Sequence, residues 1–234
     1  MTTVVLWHGL AGSAQRTWRD PGWIDLLTDA GMDVIAPDLL GHGSAPQPVD
    51  PSAYEAFEEY ALATLPPEPV AAVGFSLGAR TLLVLAAQHP ERFTRIVVGG
   101  VGENLFRHDG SSAALADALH AAVHPGDHGS TAEREPQRIV DHFLHLAERS
   151  GQSIDALIAL LRRPQSVVLT AETLSRISQP TLVALGDTDF AGPIEPLLEA
   201  IPHAKSVILR NTDHFSTPKS FAFIDAALNF LEAD

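Results

Sequence analysis

Short apolar runs alternate along the chain with longer stretches in which apolar residues recur every three or four positions. The short runs are nearly continuous and rich in β-branched residues, which is typical of parallel strands covered by helices on both faces. Strands that alternate with helical patterns in this way indicate parallel βαβ units. The predicted strands are Thr3–Trp7, Val34–Ala36, Val70–Phe75, Ile96–Gly99, Thr181–Leu185 and Ser206–Leu209.

Helical patterns fill most of the intervals between these strands. Gly31 can cap the first of these helices, and Pro90 ends the third because proline cannot continue a helix. The predicted helices are Trp23–Ala30, Ser52–Thr64, Leu77–His89 and Ser220–Glu232. The chain therefore belongs to the α/β class, with a mostly parallel sheet and helices on both of its faces.

Residues 102–178 interrupt this alternation, because they contain several amphipathic patterns and no convincing strand. The strand pattern resumes afterwards, so we interpret this segment as a helical lid inserted into a core of residues 1–101 and 179–234. A separate second domain is the alternative, which the shortness of the segment disfavours. The helices predicted in it lie near Ser112–Val123, Pro136–Arg149, Ile154–Arg162 and Ala171–Ile177.

Charge and composition narrow the range of partners. The chain has 15 Lys and Arg against 29 Asp and Glu, for a net charge of −14. This argues against nucleic acid or an anionic membrane surface as the main partner, since both require a cationic face. The chain contains no cysteine, which excludes disulfides, thiolate catalysis and cysteine-ligated zinc. The N-terminus is typical of a strand rather than a signal peptide, and no apolar run reaches membrane-spanning length, so we expect a cytoplasmic protein.

The candidate nucleophile is Ser76, at the centre of the sequence Gly-Phe-Ser-Leu-Gly over residues 74–78. A predicted strand leads into this G-x-S-x-G pattern and a predicted helix follows it. A serine at such a turn is held in a strained conformation that exposes its hydroxyl, and the flanking glycines avoid Cβ clashes. The next amide, that of Leu77, then lies at the helix start, where it can stabilise an oxyanion.

A serine hydroxyl needs a base, for which the chain offers 11 histidines. His214 is the strongest candidate, because it lies in a polar loop between the last strand and the last helix. Such a loop can reach a serine at the same edge of the sheet. His8 is interpreted as a structural residue and His89 as the end of a helix. The predicted lid contains His108, His120, His124, His128, His142 and His145.

These lid histidines raise the hypothesis of a metal site. His120 and His124 are one helical turn apart, and His142 and His145 could share a face. However, Pro125 and Gly126 end the first pattern at once, and the sequence contains no zinc-binding signature. We therefore expect no metal and no other cofactor.

Two carboxylates follow the Thr181–Leu185 strand, and either could orient the histidine. Asp189 lies further into the loop, where it can turn toward His214, so geometry favours it. Asp187 lies closer to the strand end and could instead hold the turn through backbone amides. Asp213 is disfavoured because it cannot easily bind the ring of its own neighbour.

The loop after the first strand is the candidate for the rest of an oxyanion hole. Gly9 and Gly12 allow the chain to turn tightly, and the backbone amide of Leu10 could then join that of Leu77 as a second donor. The segment from Asp38 to Ser44 follows the second strand and is interpreted as a brace for this loop.

Together these blocks resemble the α/β-hydrolase superfamily, in particular small microbial esterase-like members with a helical lid. The family has His-Gly after its first core strand, an Asp-x-x-Gly-His-Gly-x-Ser stretch, a nucleophile elbow, a Pro-Thr-Leu-x-x-x-Gly-x-x-Asp block and a final histidine. The register of the fourth block favours Asp189 over Asp187 as the triad acid. The matching residues are Trp7–Gly12, Asp38–Gly43 with Ser44 in place of the usual spacer, Gly74–Gly78, Pro180–Asp189 and His214.

The chain departs from the family pattern in two places. Asp213 stands where the family usually has glycine, and the chain begins at the His-Gly strand without the preceding antiparallel hairpin. We therefore expect about six strands rather than eight.

The resemblance implies cleavage of a carboxylic ester or related acyl bond through an acyl-enzyme on Ser76, with His214 as base and Asp189 as orienting acid. A small acyl compound is then the expected partner. Thioesterase, lactonase, carbon–carbon bond hydrolase or acyltransferase activity would use the same triad, and a non-catalytic ligand-binding protein is a further alternative. The oligomeric state stays open.

Overall fold

A single sheet of six parallel strands forms the centre of the computed structural model, which describes residues 2–107, 110–124, 134–164 and 167–233. The strand order is β2-β1-β3-β4-β5-β6, and every neighbouring pair is parallel. The predicted class and strand number are confirmed, with strand ends shifted by up to three residues. The strands are β1 Thr3–Trp7, β2 Asp33–Ile35, β3 Val70–Phe75, β4 Phe93–Gly99, β5 Thr181–Gly186 and β6 Lys205–Leu209.

Helices connect these strands and cover the sheet. Gly31 has a positive φ of 81° just after the first helix, as a C-terminal cap requires. The α-helices of the described residues are α1 Trp23–Asp29, α2 Phe57–Leu62, α3 Leu77–Gln88, α4 Ser111–Val123, α5 Arg134–Ser150, α6 Ile154–Leu161, α7 Ala171–Leu174, α8 Glu195–Ala200 and α9 Phe221–Glu232.

The four central strands, β1, β3, β4 and β5, bury most of both faces, which explains why they are mostly apolar. In β1, Val5 and Trp7 enter a cluster with residues of α2, α3 and α8, while Val4 and Leu6 enter a second cluster with α1 and α9. Successive side chains of a strand point to opposite faces, so a polar side chain anywhere from Val4 to Trp7 would lie in one of these apolar clusters.

Residues 102–178 form α4 to α7 and, in their described part, contain no strand. Three of these helices build a small cluster of their own around Phe143, Leu119 and Leu157. Leu10 and Phe215, from loops of the core, pack against the same cluster. The inserted helices therefore rest on loops at one edge of the sheet.

Two predicted helices were wrong in extent. The predicted helix Ser52–Thr64 is a 3-10 turn over Pro51–Tyr54 followed by α2, with a break at Ala56. Tyr54 and Phe57, on either side of this break, are both fully buried.

The predicted helix Ala171–Ile177 ends at Leu174. The hydroxyl of Ser175 donates to the carbonyl of Glu172 and competes with the helical pattern. Several short elements were not predicted, namely α8, a π-helical turn over Gln15–Arg19 and 3-10 turns over Pro90–Arg92, Glu103–Phe106 and Thr217–Lys219.

Because all strands are parallel, the loops after their carboxyl ends meet at one edge of the sheet. Ser76 directly follows β3, Asp189 follows β5 and His214 follows β6. Leu10 follows β1 at the same edge. The topology thus brings four distant segments of the chain to one place.

Two buried tryptophans offer a matched test of packing in the second cluster. Trp18 and Trp23 are both fully buried and meet edge to face at 5.1 Å between ring centroids. The indole of Trp23 donates to Pro218 O at 2.7 Å, whereas that of Trp18 has no partner among the described residues. Trp23→Phe should therefore lower the free energy of unfolding by about 1–3 kcal/mol more than Trp18→Phe, measured by urea denaturation. Equal losses would contradict the role of the Trp23 hydrogen bond.

Candidate active site

Ser76 occupies a sharp turn between β3 and α3. Its backbone has φ 51° and ψ −111°, a conformation that residues other than glycine adopt only under strain. The turn is fixed by backbone hydrogen bonds from Ser76 N to Gly99 O at 2.9 Å and from Gly78 N to His8 O at 3.1 Å. These contacts with neighbouring segments hold the serine in a geometry that it would not adopt alone.

Gly78 permits the close contact between the start of α3 and the end of β1. A Cβ at this position would lie 2.2 Å from the carbonyl oxygen of Trp7, which no side chain can tolerate. Gly74 is equally restricted, since its Cβ would lie 2.7 Å from Ala79 Cα. The glycines on either side of Ser76 therefore avoid backbone clashes, as the sequence predicted.

His214 lies between Ser76 and Asp189. Its Nε2 is 2.9 Å from Ser76 Oγ, and its Nδ1 is 2.9 and 3.1 Å from the two carboxylate oxygens of Asp189. Both the imidazole and the carboxylate are buried. Since a carboxylate can only accept, Nδ1 carries the proton of the neutral ring, which leaves the Nε2 lone pair free to accept from the serine hydroxyl. The structure thus brings together the three side chains that the sequence selected.

Asp187 and Asp189 have different partners. Asp189 Oδ1 accepts from the Ala191 amide at 2.8 Å as well as facing His214, so the carboxylate is held from two sides. Asp187 instead accepts from the amide of Thr212 at 3.2 Å. It joins the β5 loop to the β6 loop and does not contact the imidazole.

Asp213 points away from the neighbouring ring, as expected. It accepts hydrogen bonds from the Ser216 amide at 2.8 Å and the Ser216 hydroxyl at 2.6 Å. The hydroxyl of Ser216 is the main reason that the pKa of Asp213 lies below its usual value. The carboxylate therefore caps the turn that follows His214.

Leu10 and Leu77 line the same cavity as Ser76. Within the described part of the chain, neither amide donates to a protein acceptor. The loop that carries Leu10 passes so close to the serine that a Cβ on Gly9 would lie 3.3 Å from Ser76 Cβ. An oxyanion hole requires two such donors beside the nucleophile, so Leu10 and Leu77 stay the candidates for it.

The side chains of His8, Asp38 and His42 lie next to the loop that carries Leu10 and stabilise it. His8 Nδ1 donates to Gly9 O at 2.9 Å, and its Nε2 accepts from the Leu39 amide at 3.1 Å. Asp38 accepts from the amides of Ala14 and Ser44, both at 2.8 Å. His8 and the Asp38–Ser44 segment are therefore structural, as predicted. Burial lowers the pKa of His8, and burial together with the nearby charge of His8 lowers the pKa of His42 to about 3.

Ser76 opens into a cavity of about 600 Å³ between the sheet edge and the inserted helices. Most of its wall is aliphatic, and α4, α5 and α6 all contribute residues to it. The apolar side chains that line it include Val101, Leu105, Leu115, Val140, Leu160 and Leu169.

Aromatic rings enclose the imidazole of His214. Phe190 lies against it at 4.3 Å between centroids, and Phe215 meets it edge to face at 5.5 Å. The imidazole of His142, in α5, stacks on the ring of Phe215, with 3.6 Å between the two ring centroids. Phe190 covers the buried imidazole and is itself 45% exposed.

The lid histidines do not converge on a metal site in the described segments. His120 and His124 stack at 4.5 Å, and His124 Nε2 lies 3.1 Å from Asp155 Oδ1. No group of three or more potential ligands occurs among the residues that the structure covers. His108 and His128 lie outside them. Those same residues also contain no helix with the length and apolar character needed to cross a bilayer.

Sequence reasoning missed several residues that shape the cavity. Arg80 is the only charged residue of α3, an otherwise apolar helix that begins at the nucleophile elbow. A single charged residue in such a helix could have marked Arg80 as a candidate functional residue. Arg163 and Phe190 also line the cavity, but nothing in their local pattern distinguishes them from surface residues.

Comparison with known proteins agrees with this architecture. The sequence model of the α/β-hydrolase fold family matches residues 2–127, which is more than half of the chain. The chain therefore belongs to the α/β-hydrolase family, as its motifs indicated. It is an enzyme of the hydrolase class within that superfamily.

Two curated relatives cover most of the chain. A mouse sn-1-specific diacylglycerol lipase is 26% identical over 99% of this chain and 81% of the relative. A pimeloyl-[acyl-carrier protein] methyl ester esterase of Aromatoleum aromaticum is 29% identical over 85% of this chain and 76% of the relative.

Solved structures share the fold. A carboxylesterase of a Nitrososphaera archaeon has a TM-score of 0.72 and 20% identity, covering 98% of this chain and 89% of the other. The enol-lactonase of Burkholderia xenovorans has a TM-score of 0.69 and 22% identity, covering 99% of this chain and 92% of the other.

The buried histidines predict how stability depends on pH. The folded pKa of His42 is about 3 and its ordinary value is 6.5. Below the ordinary value the unfolded chain binds a proton that the folded chain does not, so the free energy of unfolding falls as pH falls. His42→Phe should make this loss shallower by about 1.4 kcal/mol per pH unit between roughly pH 6 and 4, measured by urea denaturation.

The exposed His145 supplies the control for this measurement. His145→Gln should leave the slope of stability against pH unchanged. An unaltered slope in His42→Phe would show that His42 does not resist protonation in the folded protein.

Proposed function

We propose that the protein is a serine esterase that hydrolyses a carboxylic ester through an acyl-enzyme on Ser76. The observation that carries this proposal is the chain of contacts from Ser76 Oγ to His214 Nε2 and from His214 Nδ1 to Asp189, each at hydrogen-bond distance. This chain lies at the mouth of an apolar cavity large enough for an acyl group.

In the first half of the reaction, Ser76 Oγ attacks the ester carbonyl while His214 Nε2 accepts the hydroxyl proton. The carbonyl oxygen becomes an oxyanion that accepts from the amides of Leu10 and Leu77. Asp189 keeps the imidazole in the required tautomer and stabilises the imidazolium. His214 then gives its proton to the departing alkoxide, which leaves as the alcohol.

The second half repeats this chemistry with water. His214 takes a proton from water, the resulting hydroxide attacks the acyl carbon, and the second oxyanion forms at the same two amides. When it collapses, Ser76 Oγ leaves and recovers the proton from His214. The products are the carboxylic acid and the free enzyme.

The relatives favour an ester over the other bonds that such a triad can cleave. The curated relatives are described as a lipase and a methyl ester esterase, and both descriptions refer to esters. The aliphatic wall of the cavity accommodates a small or medium aliphatic acyl group.

We further propose that residues 102–178 act as a lid over Ser76. Side chains of α4, α5 and α6 form the part of the cavity wall opposite the sheet. The cluster within these helices also contacts Leu10 and Phe215, which flank Ser76 and His214. The lid would then determine which acyl groups reach the serine.

Covalent labelling tests the nucleophile. A fluorophosphonate probe should label the folded protein at Ser76, and Ser76→Ala should abolish labelling and lower kcat on p-nitrophenyl butyrate by about a millionfold. Peptide mapping by mass spectrometry identifies the labelled residue. Absence of labelling in folded protein would refute the serine mechanism and favour a ligand-binding role.

The two carboxylates after β5 provide a matched pair. Asp189→Asn should lower kcat about 10⁴-fold, because an amide can donate to Nδ1 and stabilise the wrong tautomer. Asp187→Asn should lower it by less than about tenfold, since Asp187 only holds the loop through Thr212. Steady-state kinetics with p-nitrophenyl butyrate distinguish the two, and a larger loss in Asp187→Asn would reverse their assignment.

A further inference from the structure

Three charged side chains are buried together beside the cavity. Arg80 belongs to α3 and lies one helical turn beyond Ser76, Arg163 follows α6, and Glu58 belongs to α2. Arg80 Nη1 donates to Glu58 Oε1 at 3.2 Å, and Arg163 Nη2 lies 3.8 Å from the same oxygen. The side chains of Arg163 and Glu58 are each only 7% exposed.

The arrangement of these groups is asymmetric. Both arginines line the cavity that contains Ser76, whereas Glu58 is not among its lining residues. The two arginines therefore border the cavity and share the carboxylate of Glu58, and Arg80 Nη2 also donates to Val167 O at 2.8 Å. The three side chains together carry two positive charges and one negative charge. A further arginine at the cavity, Arg107, is exposed and already bonded to Glu103, so it does not change this count.

Burying an excess charge costs free energy unless a counter-charge is supplied. Burial lowers the pKa of Arg163 to about 10 and also lowers that of Arg80, with Glu58 acting in the opposite direction in both cases. Both groups stay protonated at neutral pH. Arg163 is held in place by its bond to Leu160 O at 3.1 Å and by the ring of Phe57, 4.7 Å away. A fixed, desolvated guanidinium is well suited to bind a carboxylate.

We propose that Arg80 and Arg163 bind a carboxylate at the far end of the substrate's acyl chain, so that the preferred substrates are half-esters of aliphatic dicarboxylic acids. This inference rests on the esterase function proposed above and specifies its substrate class. A single carboxylate balances the single excess charge, whereas a phosphate dianion would leave an excess negative charge buried.

The position of His214 assigns the carboxylate to the acyl side of the ester. The leaving alcohol must lie beside His214 Nε2 to receive its proton, and this side of the cavity borders the half-exposed Phe190. Arg163, only 7% exposed, lies beside Leu160, to whose carbonyl it donates. The acyl chain therefore points inward, along the aliphatic wall formed by residues such as Leu160 and Leu169.

Matched esters test this selectivity in the wild-type protein. The p-nitrophenyl half-esters of adipate and suberate are compared with p-nitrophenyl hexanoate and octanoate, which have acyl chains of the same length, and with the methyl-capped adipate ester as a neutral isostere. We expect kcat/KM to be at least about tenfold higher for the better half-ester than for its neutral partners, after subtraction of spontaneous hydrolysis.

Three variants assign the preference to the buried pair. Arg163→Met should reduce the ratio of kcat/KM for half-ester over neutral ester by about tenfold or more, because it leaves Arg80 and Glu58 as a balanced pair. Arg162→Met is the matched control, since the neighbouring Arg162 is paired with Asp117 and does not line this cavity. It should leave the ratio unchanged. Glu58→Gln should keep or raise the ratio, because it removes the competing carboxylate.

The outcomes separate this inference from the proposed function. If the wild-type protein hydrolyses neutral esters at least as well as half-esters, the carboxylate site is overturned and the esterase function stands. This comparison needs no variant, so it holds even if a variant fails to fold. Equal losses of the ratio in Arg163→Met and Glu58→Gln would also overturn it, since they would assign a purely structural role to the three charges. Failure of every ester to react would overturn the proposed function itself.

Discussion

The contact between the first turn of α3 and the end of β1 is the constraint on which the site depends. It requires glycine at position 78, because any Cβ would meet the Trp7 carbonyl. It also holds the loop that carries Leu10 next to the start of α3, where Leu77 lies. The hydrogen bond from Gly78 N to His8 O fixes the distance between these two segments. The hydrogen bond from Ser76 N to Gly99 O connects the turn to β4. A strained serine, costing about 1–3 kcal/mol, persists because the surrounding backbone determines its geometry.

The same close contact explains why the elbow could be recognised from the sequence. The elbow is marked by glycines at fixed spacing around Ser76, by a preceding apolar run and by a following helical pattern. All three are local features, which a single sequence displays. The parallel strands could be predicted for a similar reason, since burial of both faces leaves a continuous apolar run. From these, the shared edge that brings together Ser76, Asp189 and His214 follows by topology.

Other features depend on tertiary contacts that a sequence does not display. The sequence left both Asp187 and Asp189 open as partners of the histidine, although the position of Asp189 in the loop and the family register both favoured it. Their different contacts, with Thr212 and with His214, come from how two loops fold together. The pattern of residues Ser52–Thr64 likewise gives no sign of the break at Ala56. The grouping of Glu58, Arg80 and Arg163 joins three elements that are far apart in the chain.

The inserted helices and the catalytic loops share one apolar cluster. Leu10 carries a candidate oxyanion donor, and Phe215 is the neighbour of the candidate base, yet both pack against α4, α5 and α6. His142 adds a stacked contact with Phe215 from α5. A shift of these helices would therefore move side chains on both sides of the serine, so the proposed lid and the reactive groups would move together.

The net charge of −14 has a consequence for a site that is positive inside. An anionic substrate approaches an acidic exterior, whose long-range field opposes its encounter with the protein. Attraction begins only within the cavity, where the guanidinium groups are desolvated and screening by salt is weak. Discrimination would then occur after entry rather than during diffusion, and the exterior would act as a kinetic barrier that neutral esters do not experience.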